Sequence, residues 1–389
     1  MDGDDQETME PRMISVRSMG ANEEGAVKAL AGRAFSPLAS ISFPHSPDAL
    51  IAEWGGELLG AVVLRTFRLP GNGRGEDRRG GVMLWLMADP EARGLGVGGR
   101  LVEAALQSFE ERGCQEVFAC VNGYNTSSAN LFAVRGFTIL SFGEQLRRYG
   151  FLGTLALWLR TSRLGGDVGH FLWARPGQLK PDSPALQWWV GALVNALVLL
   201  LIGWRGNWLG DFDPTTLLGV VLIVVALLGL REGAMWLVAS TQGLPVRHRA
   251  WESTSPLSLG LALALGVFFP VPGSVYPRYS AWRYRDLLPK LGTIAFAGAS
   301  AVLLFAWAAW ALARFGGLSR EITQWFDAAR TAVLMLAVFD VLLPFSPFAS
   351  FDGRRVWDWN RAAWGVLAVA VLGLLLVGGY PFVVAAQQR

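Results

Sequence analysis

The chain has 389 residues, 52% of them hydrophobic, with 34 Lys and Arg set against 31 Asp and Glu for a formal net charge of +3. That length accommodates two or three domains, and so apolar a composition, with a mean hydropathy of +0.35, exceeds what soluble cores require. The small net charge and the lack of any basic block argue against a nucleic-acid partner.

Residues 1–12 are acidic and polar and read as a disordered tail. No apolar core follows a basic start there, so no secretory signal is expected. From Met13 to about Gly150 strands and helices alternate. The pattern predicts strands at Met13–Val16, Ala49–Glu53 and Leu58–Phe67, the last two around a Gly55–Gly56 turn, with a helix over Asn22–Ala34. A polar, Gly-rich loop (Gly71–Gly80) leads to the apolar strand Val82–Met87. A helix over Leu95–Arg112, a strand over Glu116–Val121 and a helix over Ser127–Val134 follow, with closing strands at Phe137–Leu140 and Gln145–Tyr149. This order points to an α/β domain with helices flanking a mixed sheet. Cys114 and Cys120 are expected to stay reduced.

Residues 151–183 read as a linker, either an interfacial amphipathic helix or the end of the sheet, with the helix favoured. Beyond Pro184 the apolar runs near 187–204, 214–240, 290–313, 329–348 and 362–384 each approach the ~20 residues that cross a bilayer. A sixth run, Leu257–Val271, is short, ends in Pro270 and Pro272–Gly273, and suits a re-entrant segment. Arg175, Lys180, Arg247, Arg249, Arg278, Arg283, Arg285, Lys290, Arg354, Arg355 and Arg361 then gather on one side, which the positive-inside rule makes cytosolic. The loop Arg314–Arg330, with three Arg and two acids, runs mildly against this topology. A multi-pass protein of the cell membrane with a cytosolic N-terminal domain is the expectation.

The strongest motif follows the strand at Val82–Met87: Asp89-Pro-Glu91-Ala-Arg93-Gly94-Leu-Gly96-Val97-Gly98-Gly99-Arg100. Closely spaced glycines between a strand and a helix leave successive backbone amides open to an anion. The Arg-x-x-Gly-x-Gly spacing, with a later Asn125-x-x-Ser-Ala-x-Leu-Phe132-x-x-x-Gly136-Phe137, resembles the GNAT N-acetyltransferase superfamily over about residues 13–150. The resemblance implies a splayed mixed sheet holding acetyl-CoA. Backbone groups of Leu86 and Met87 would lie along the pantetheine arm, Arg93, Gly94, Gly96, Val97, Gly98 and Gly99 around the pyrophosphate, and Asn125 near the cofactor. It also implies acetyl transfer to an amine acceptor, whose identity the sequence does not specify. Phe132 stands where family members often carry a tyrosine acid. Tyr124 is the nearby substitute, and Asp89 and Glu91 are candidate bases that could equally cap a helix.

The second half carries Leu230-Arg231-Glu232-Gly-Ala-Met235 inside an apolar run and, after Pro344 and Pro347, Phe351-Asp352-Gly353. With the small-residue phrase Gly292–Ala301 and the turn at Pro272–Gly273, these resemble the site-2 protease (M50-like) family over about 215–365. There a His-Glu-x-x-His helix and a later Asp supply zinc ligands. Arg231 and Met235 stand at the two His positions. Neither a guanidinium nor a thioether suits zinc, so the protease site is degenerate, with only Glu232 and Asp352 kept. Arg231 is expected either to pair with Asp352 or Glu232, replacing the metal's charge, or to snorkel to water from a helix end.

The reading is thus a membrane-anchored acetyltransferase on an α/β GNAT fold, followed by an all-α transmembrane domain from residue 184. Two alternatives stay open: a non-catalytic acetyl-CoA sensor on a pseudoprotease scaffold that holds transmembrane helices of other proteins, and an intramembrane zinc protease.

Overall fold

The computed structural model describes residues 14–35, 48–69, 78–161, 168–177, 182–206, 214–279, 281–345 and 347–377. The tail expected at 1–12 and the polar loop over 71–77 lie outside the described residues, as does the last span beyond 377. The chain forms two compact units: the first comprises Met1–Cys120, Gly136–Thr138 and Trp173–Gly177, the second Val121–Arg135, Ile139–Leu172 and Gln178–Arg389.

The first unit holds most of a mixed sheet. Its strands are β1 (Ser15–Ser18), β2 (Ala49–Trp54), β3 (Glu57–Arg68), β4 (Arg79–Ala88), β5 (Cys114–Asn122), β6 (Thr138–Ile139) and β7 (His170–Arg175), in the order β1-β2-β3-β4-β5-β7-β6. Strands β1 to β4 pair antiparallel, whereas β4 and β5 run parallel. Helix α1 (Glu24–Ala34) buries Val27, Leu30 and Ala31 against Ile51, Ala61 and Met87. Helix α2 (Val97–Glu111) buries Val97, Leu101, Val102, Ala105 and Phe109, a stripe at helical spacing facing the sheet. Cys114 and Cys120 form no disulfide. Six residues apart on one strand they stand ~20 Å apart, well beyond the reach of a bridge.

One sequence expectation changes here. Gln145–Tyr149, expected as a strand, lies inside helix α4 (Phe142–Thr161), which follows α3 (Thr126–Ala133). Ser141, Gln145 and Tyr149 are buried at intervals of four while Arg147 between them is exposed, a spacing that fits a helix and not a period of two. Gln145 donates to the Leu140 carbonyl at 2.9 Å and accepts from Trp158 Nε1 at 2.6 Å, so its buried amide is satisfied locally. Residues 151–183 hold both of the readings left open: past a break at Gly150 (φ 68°, ψ 178°) the chain is helical to Thr161, with Phe151, Leu152 and Leu159 exposed, and His170–Arg175 is a sheet strand.

From Gln178 onward the second unit's helices are α5 (Pro184–Arg205), α6 (Pro214–Thr241), α7 (Ser255–Leu265), α8 (Tyr284–Phe315), α9 (Arg320–Ala337), α10 (Asp352–Trp359) and α11 (Arg361–Val377). Among the described residues α5, α6 and α8 are long and apolar enough to cross a bilayer. The expected fourth span is α9 continued by a π-helical turn at Val338–Leu342, and the fifth begins as α11. Helix α7, with eleven residues, reaches ~16 Å of the ~30 Å hydrocarbon core. It stops at the left-handed Gly266, and the chain returns as β9 (Ser274–Pro277), paired antiparallel with β8 (Val246–Arg249). Val220, Val224, Leu227, Ala295, Ala299, Val302, Val333 and Val371 form part of one apolar core between the helices.

Gly60, opposite Ala88 in the β3–β4 ladder, seats α2 on the sheet: a β-carbon there would lie 2.6 Å from Val97 Cγ1 and 2.8 Å from the Met87 carbonyl. Gly60→Val is expected to displace the first turn of α2 and cost ~1–3 kcal/mol, read as a lower thermal midpoint of the purified full-length protein.

Candidate functional site

Strand β4 sets up the site in the first unit. Its register with β3 pairs Leu64 with Met83 and Val63 with Trp85, which leaves Leu84 as an extra residue, a β-bulge that bends the strand. The parallel pairing with β5 ends at the same place, at Met83↔Ala119. From Leu84 onward β4 is paired on β3, through Leu86↔Val62 and Met87↔Ala61, and among the described residues its other edge is unpaired with β5. The backbone of Leu86 and Met87 therefore lies on the strand segment where the sheet parts.

The chain then turns at Pro90–Ala92. Asp89 caps that turn, accepting from the Glu91 amide at 3.1 Å, and its Oδ2 lies 2.7 Å from Arg33 Nη2. The Glu91 amide, and after it the Arg33 guanidinium, hold the Asp89 carboxyl below the usual carboxylate range. So held, Asp89 is a capping anion and a weak base. Glu91 is exposed.

Arg93, Gly94, Leu95 and Gly96 are exposed, and Gly94 (φ 87°) and Gly96 (φ 77°) take left-handed backbone conformations that side chains disfavour. Gly96 precedes α2 without any side-chain cap, and the first turn of α2 carries no acid. The amides of Val97, Gly98 and Gly99 have no acceptor within the helix, and their dipoles place partial positive charge at this end. A β-carbon at Gly94 or Gly96 would meet nothing within 4 Å, so the space beside the turn is open. An anionic group fits such an opening.

The later motif falls in the second unit. Asn125 caps α3, its side chain accepting from the Ser128 amide at 3.2 Å. Phe132 is buried. Tyr124, the proposed substitute acid, gives its hydroxyl to the Val275 carbonyl at 3.2 Å, stacks on Tyr276 at 4.7 Å and carries the Arg355 guanidinium 4.3 Å from its ring centroid. Its polar end is thus used in holding the β8–β9 hairpin.

A second cluster lies among the helices. Arg231 lies on the ridge of α6 that also buries Val224, Leu227, Leu228 and Met235, and is 1% exposed. It therefore points into the bundle, which removes the snorkelling alternative. Its Nε donates to Asp340 Oδ2 at 2.8 Å and its Nη2 to Asp340 Oδ1 at 3.0 Å, a two-pronged pair. Nη2 also lies 2.8 Å from Asp352 Oδ2, an ion pair without hydrogen-bond alignment. Arg355 closes the cluster, paired with Asp352 and donating to Ser274 Oγ at 3.0 Å. Two guanidinium groups and two carboxylates thus face one another, none of them more than 2% exposed. Gly298 of α8 makes room: a β-carbon there would fall 2.8 Å from Met235 Cγ and 2.9 Å from Asp352 Oδ2. Glu232 leaves this group and meets His248 instead, Oε2 to Nδ1 at 2.9 Å. Among the described residues no group of three or more His, Cys, Asp or Glu is placed to hold a metal ion.

Asp340, Arg355 and His248 are the members that sequence reasoning did not assign. A lone carboxylate inside the apolar run Val338-Phe-Asp340-Val-Leu was a usable signal, since intramembrane charges seldom stand without a partner. Breaking a buried pair from one side typically costs ~3–5 kcal/mol. Arg231→Leu and Asp340→Leu are each expected to destabilise the protein by that order. The double variant should recover part of the loss, with a coupling of ~1–3 kcal/mol in thermal or denaturant unfolding in detergent.

Comparison with known proteins matches residues 27–137 to the family described as Acetyltransferase (GNAT) family. A protein of Methanocaldococcus jannaschii described as "Putative zinc metalloprotease MJ0611" is 27% identical over 168 residues, covering 40% of this chain and 81% of that protein. Among solved structures, the ribosomal-protein-S18-alanine N-acetyltransferase from Escherichia coli is 14% identical with a TM-score of 0.30, covering 44% of this chain and 97% of the other. N-acetylglutamate synthase from Neisseria gonorrhoeae, complexed with coenzyme A and N-acetyl-glutamate, is 20% identical with a TM-score of 0.29 over 42% of this chain. The chain spans about a third (35%) of that synthase's length. Likenesses this loose carry no function, and the fold is read from the strands themselves. Residues 27–137 form a GNAT acetyltransferase domain, joined to a distinct C-terminal region of long apolar helices.

Proposed function

We propose that the chain is a membrane-anchored N-acyltransferase that moves the acetyl group of acetyl-CoA to an amine. The observation that carries this reading is the start of α2, where left-handed glycines leave first-turn amides without cap or acid, within the stretch that matches the acetyltransferase family. The amides around Arg93, Gly94, Gly96, Val97, Gly98 and Gly99 would hold the diphosphate, and the parted edge at Leu86 and Met87 would take the pantetheine arm. The amine, once deprotonated, attacks the thioester carbonyl; the C–N bond forms, the C–S bond breaks, and the thiolate takes a proton.

An open groove of about 560 Å³ runs beside the turn, lined by Trp54, Glu57, Asp89 and Glu91 among others. Acidic and aromatic side chains suit a cationic amine, and Glu91, exposed and not tied to Arg33, is the freer base of the two carboxylates. The second unit would anchor the enzyme as a multi-pass membrane domain, the spans ordered so that the basic turns and the N-terminal domain face the cytosol. That unit resembles an intramembrane protease whose metal has been replaced by Arg231; with Arg231 and Met235 in the ligand positions, zinc is not expected to bind.

A second reading has one observation in its favour. Tyr124 is engaged with Val275 and Phe132 has no hydroxyl, which leaves no assigned acid for the thiolate. The domain would then sense acetyl-CoA without turning it over, on a scaffold that holds partner transmembrane helices.

Thiol release from acetyl-CoA by the purified full-length protein, measured across a panel of amines, separates the two. The transferase reading expects acceptor-dependent release, with Gly96→Val raising the KM for acetyl-CoA about ten-fold or more, since a side chain in the left-handed region costs ~1–2 kcal/mol before it crowds the diphosphate. Binding without release under any amine would favour the sensor, and stoichiometric zinc in the purified protein would revive the protease.

A further inference from the structure

The second unit holds another polar cavity, of about 300 Å³, lined by Arg247, Arg249, Arg278, Asp182, Ser141, Gln187 and Pro184. Three guanidinium groups face it against one carboxylate, and that carboxylate is already engaged: Asp182 Oδ2 accepts from the Gly143 amide at 2.7 Å. Arg278 spends its Nε on the Val246 carbonyl at 2.8 Å, leaving its two terminal nitrogens for other partners. Arg247 Nε is buried without a hydrogen-bond partner. Arg249 is 9% exposed, and its guanidinium lies 5.3 Å from the ring centroid of Phe171.

A buried cation of this kind ordinarily has a counter-ion. Glu252 is the nearby carboxyl, but its burial lifts it to about 7, so at neutral pH it is only partly charged. Burial, and then Arg247, push the Arg249 guanidinium down to about 9. Guanidinium keeps its proton in proteins, so Arg249 is a buried cation that its own surroundings compensate only in part, through Glu252. Burial and the neighbouring Arg278 act on Arg247 in the same direction.

We propose that this cavity binds a phosphate-bearing anion, with Arg247, Arg249 and Arg278 as its donors. A carboxylate ligand would be satisfied by one guanidinium fork. A tetrahedral oxyanion of higher charge uses several, and planar guanidinium donors match its edges. The first turn of α5, a membrane-length helix, contributes Pro184 and Gln187 to the wall, which sets the cavity at the depth where lipid headgroups lie. The phosphate can therefore belong to an acidic phospholipid or to a soluble compound, and the test separates them.

Full-length protein in a neutral maltoside detergent is titrated with short-chain phosphatidylglycerol, with phosphatidylcholine of the same chain length, and with inorganic phosphate against potassium chloride of equal ionic strength. Thermal unfolding is the readout. A saturable rise in midpoint with phosphatidylglycerol and not with inorganic phosphate identifies a headgroup site. A saturable rise with inorganic phosphate at millimolar concentration identifies a site for soluble phosphate compounds. In either case Arg247→Gln and Arg278→Gln should each raise the half-saturating concentration about ten-fold, with Arg278→Lys intermediate. Arg278 is exposed, so its variants are expected to fold even where Arg247→Gln does not. No saturable response to either phosphate probe, or an unchanged response in Arg278→Gln, overturns the proposal.

Discussion

Backbone amides at the start of α2 meet neither a side-chain oxygen nor an acid, because the position that normally caps a helix is Gly96 and the residues behind it are Val97, Gly98 and Gly99. In a helix built only for stability this would be a defect, since a capping side chain is worth ~1 kcal/mol. Here the surrounding structure keeps the defect in place. The bulge at Leu84 bends β4 and ends its pairing with β5, the Asp89 cap fixes the turn that follows, and Gly60 lets Val97 and Leu101 sit close against the sheet. Each of these devices orients the same few N–H groups and leaves them open beside the parted edge of β4.

The helical unit treats charge in the opposite way. Arg231 stands on the buried ridge of α6, and its charge is met inside the protein by Asp340 and Asp352, the latter also paired with Arg355. A guanidinium holds its place through directional hydrogen bonds where a metal would need lone-pair donors, so a site of this composition can fasten helices but cannot activate water as a metal does. Glu232, the residue that the protease resemblance would make the base, is turned to His248. The elements around this cluster are thereby locked together: α6 to the π-helical end of α9 and to α10 through Arg231, and α10 to the β8–β9 hairpin through Arg355 and Ser274.

Much of this was legible in the chain itself. The glycine spacing after Val82–Met87 located the turn before α2, because the left-handed backbone at Gly94 and Gly96 needs glycine there, and long apolar runs located α5, α6 and α8. The failures have physical causes. Gln145–Tyr149 passed for a strand because a buried, doubly hydrogen-bonded Gln145 hides the helical period. His170–Arg175 carries too few residues to distinguish an interfacial stretch from a strand, and sheet pairing decided it. Asp340 was passed over because its partner lies 109 residues away, a separation that no local pattern encodes, although an unpaired acid in an apolar run was itself a cue. The role of Tyr124 was equally hidden: proximity in sequence to Asn125 suggested catalysis, whereas the hydroxyl is spent on Val275.

The two units differ in what they ask of charge, and the functional account rests on the first of them. Calorimetric titration of the purified full-length protein with acetyl-CoA measures that part without reference to any acceptor. The account predicts saturable binding near one ligand per chain, weakening as ionic strength rises and largely lost in Gly96→Val. Absence of measurable affinity for acetyl-CoA or any other acylated coenzyme A, in protein that unfolds cooperatively, would contradict it.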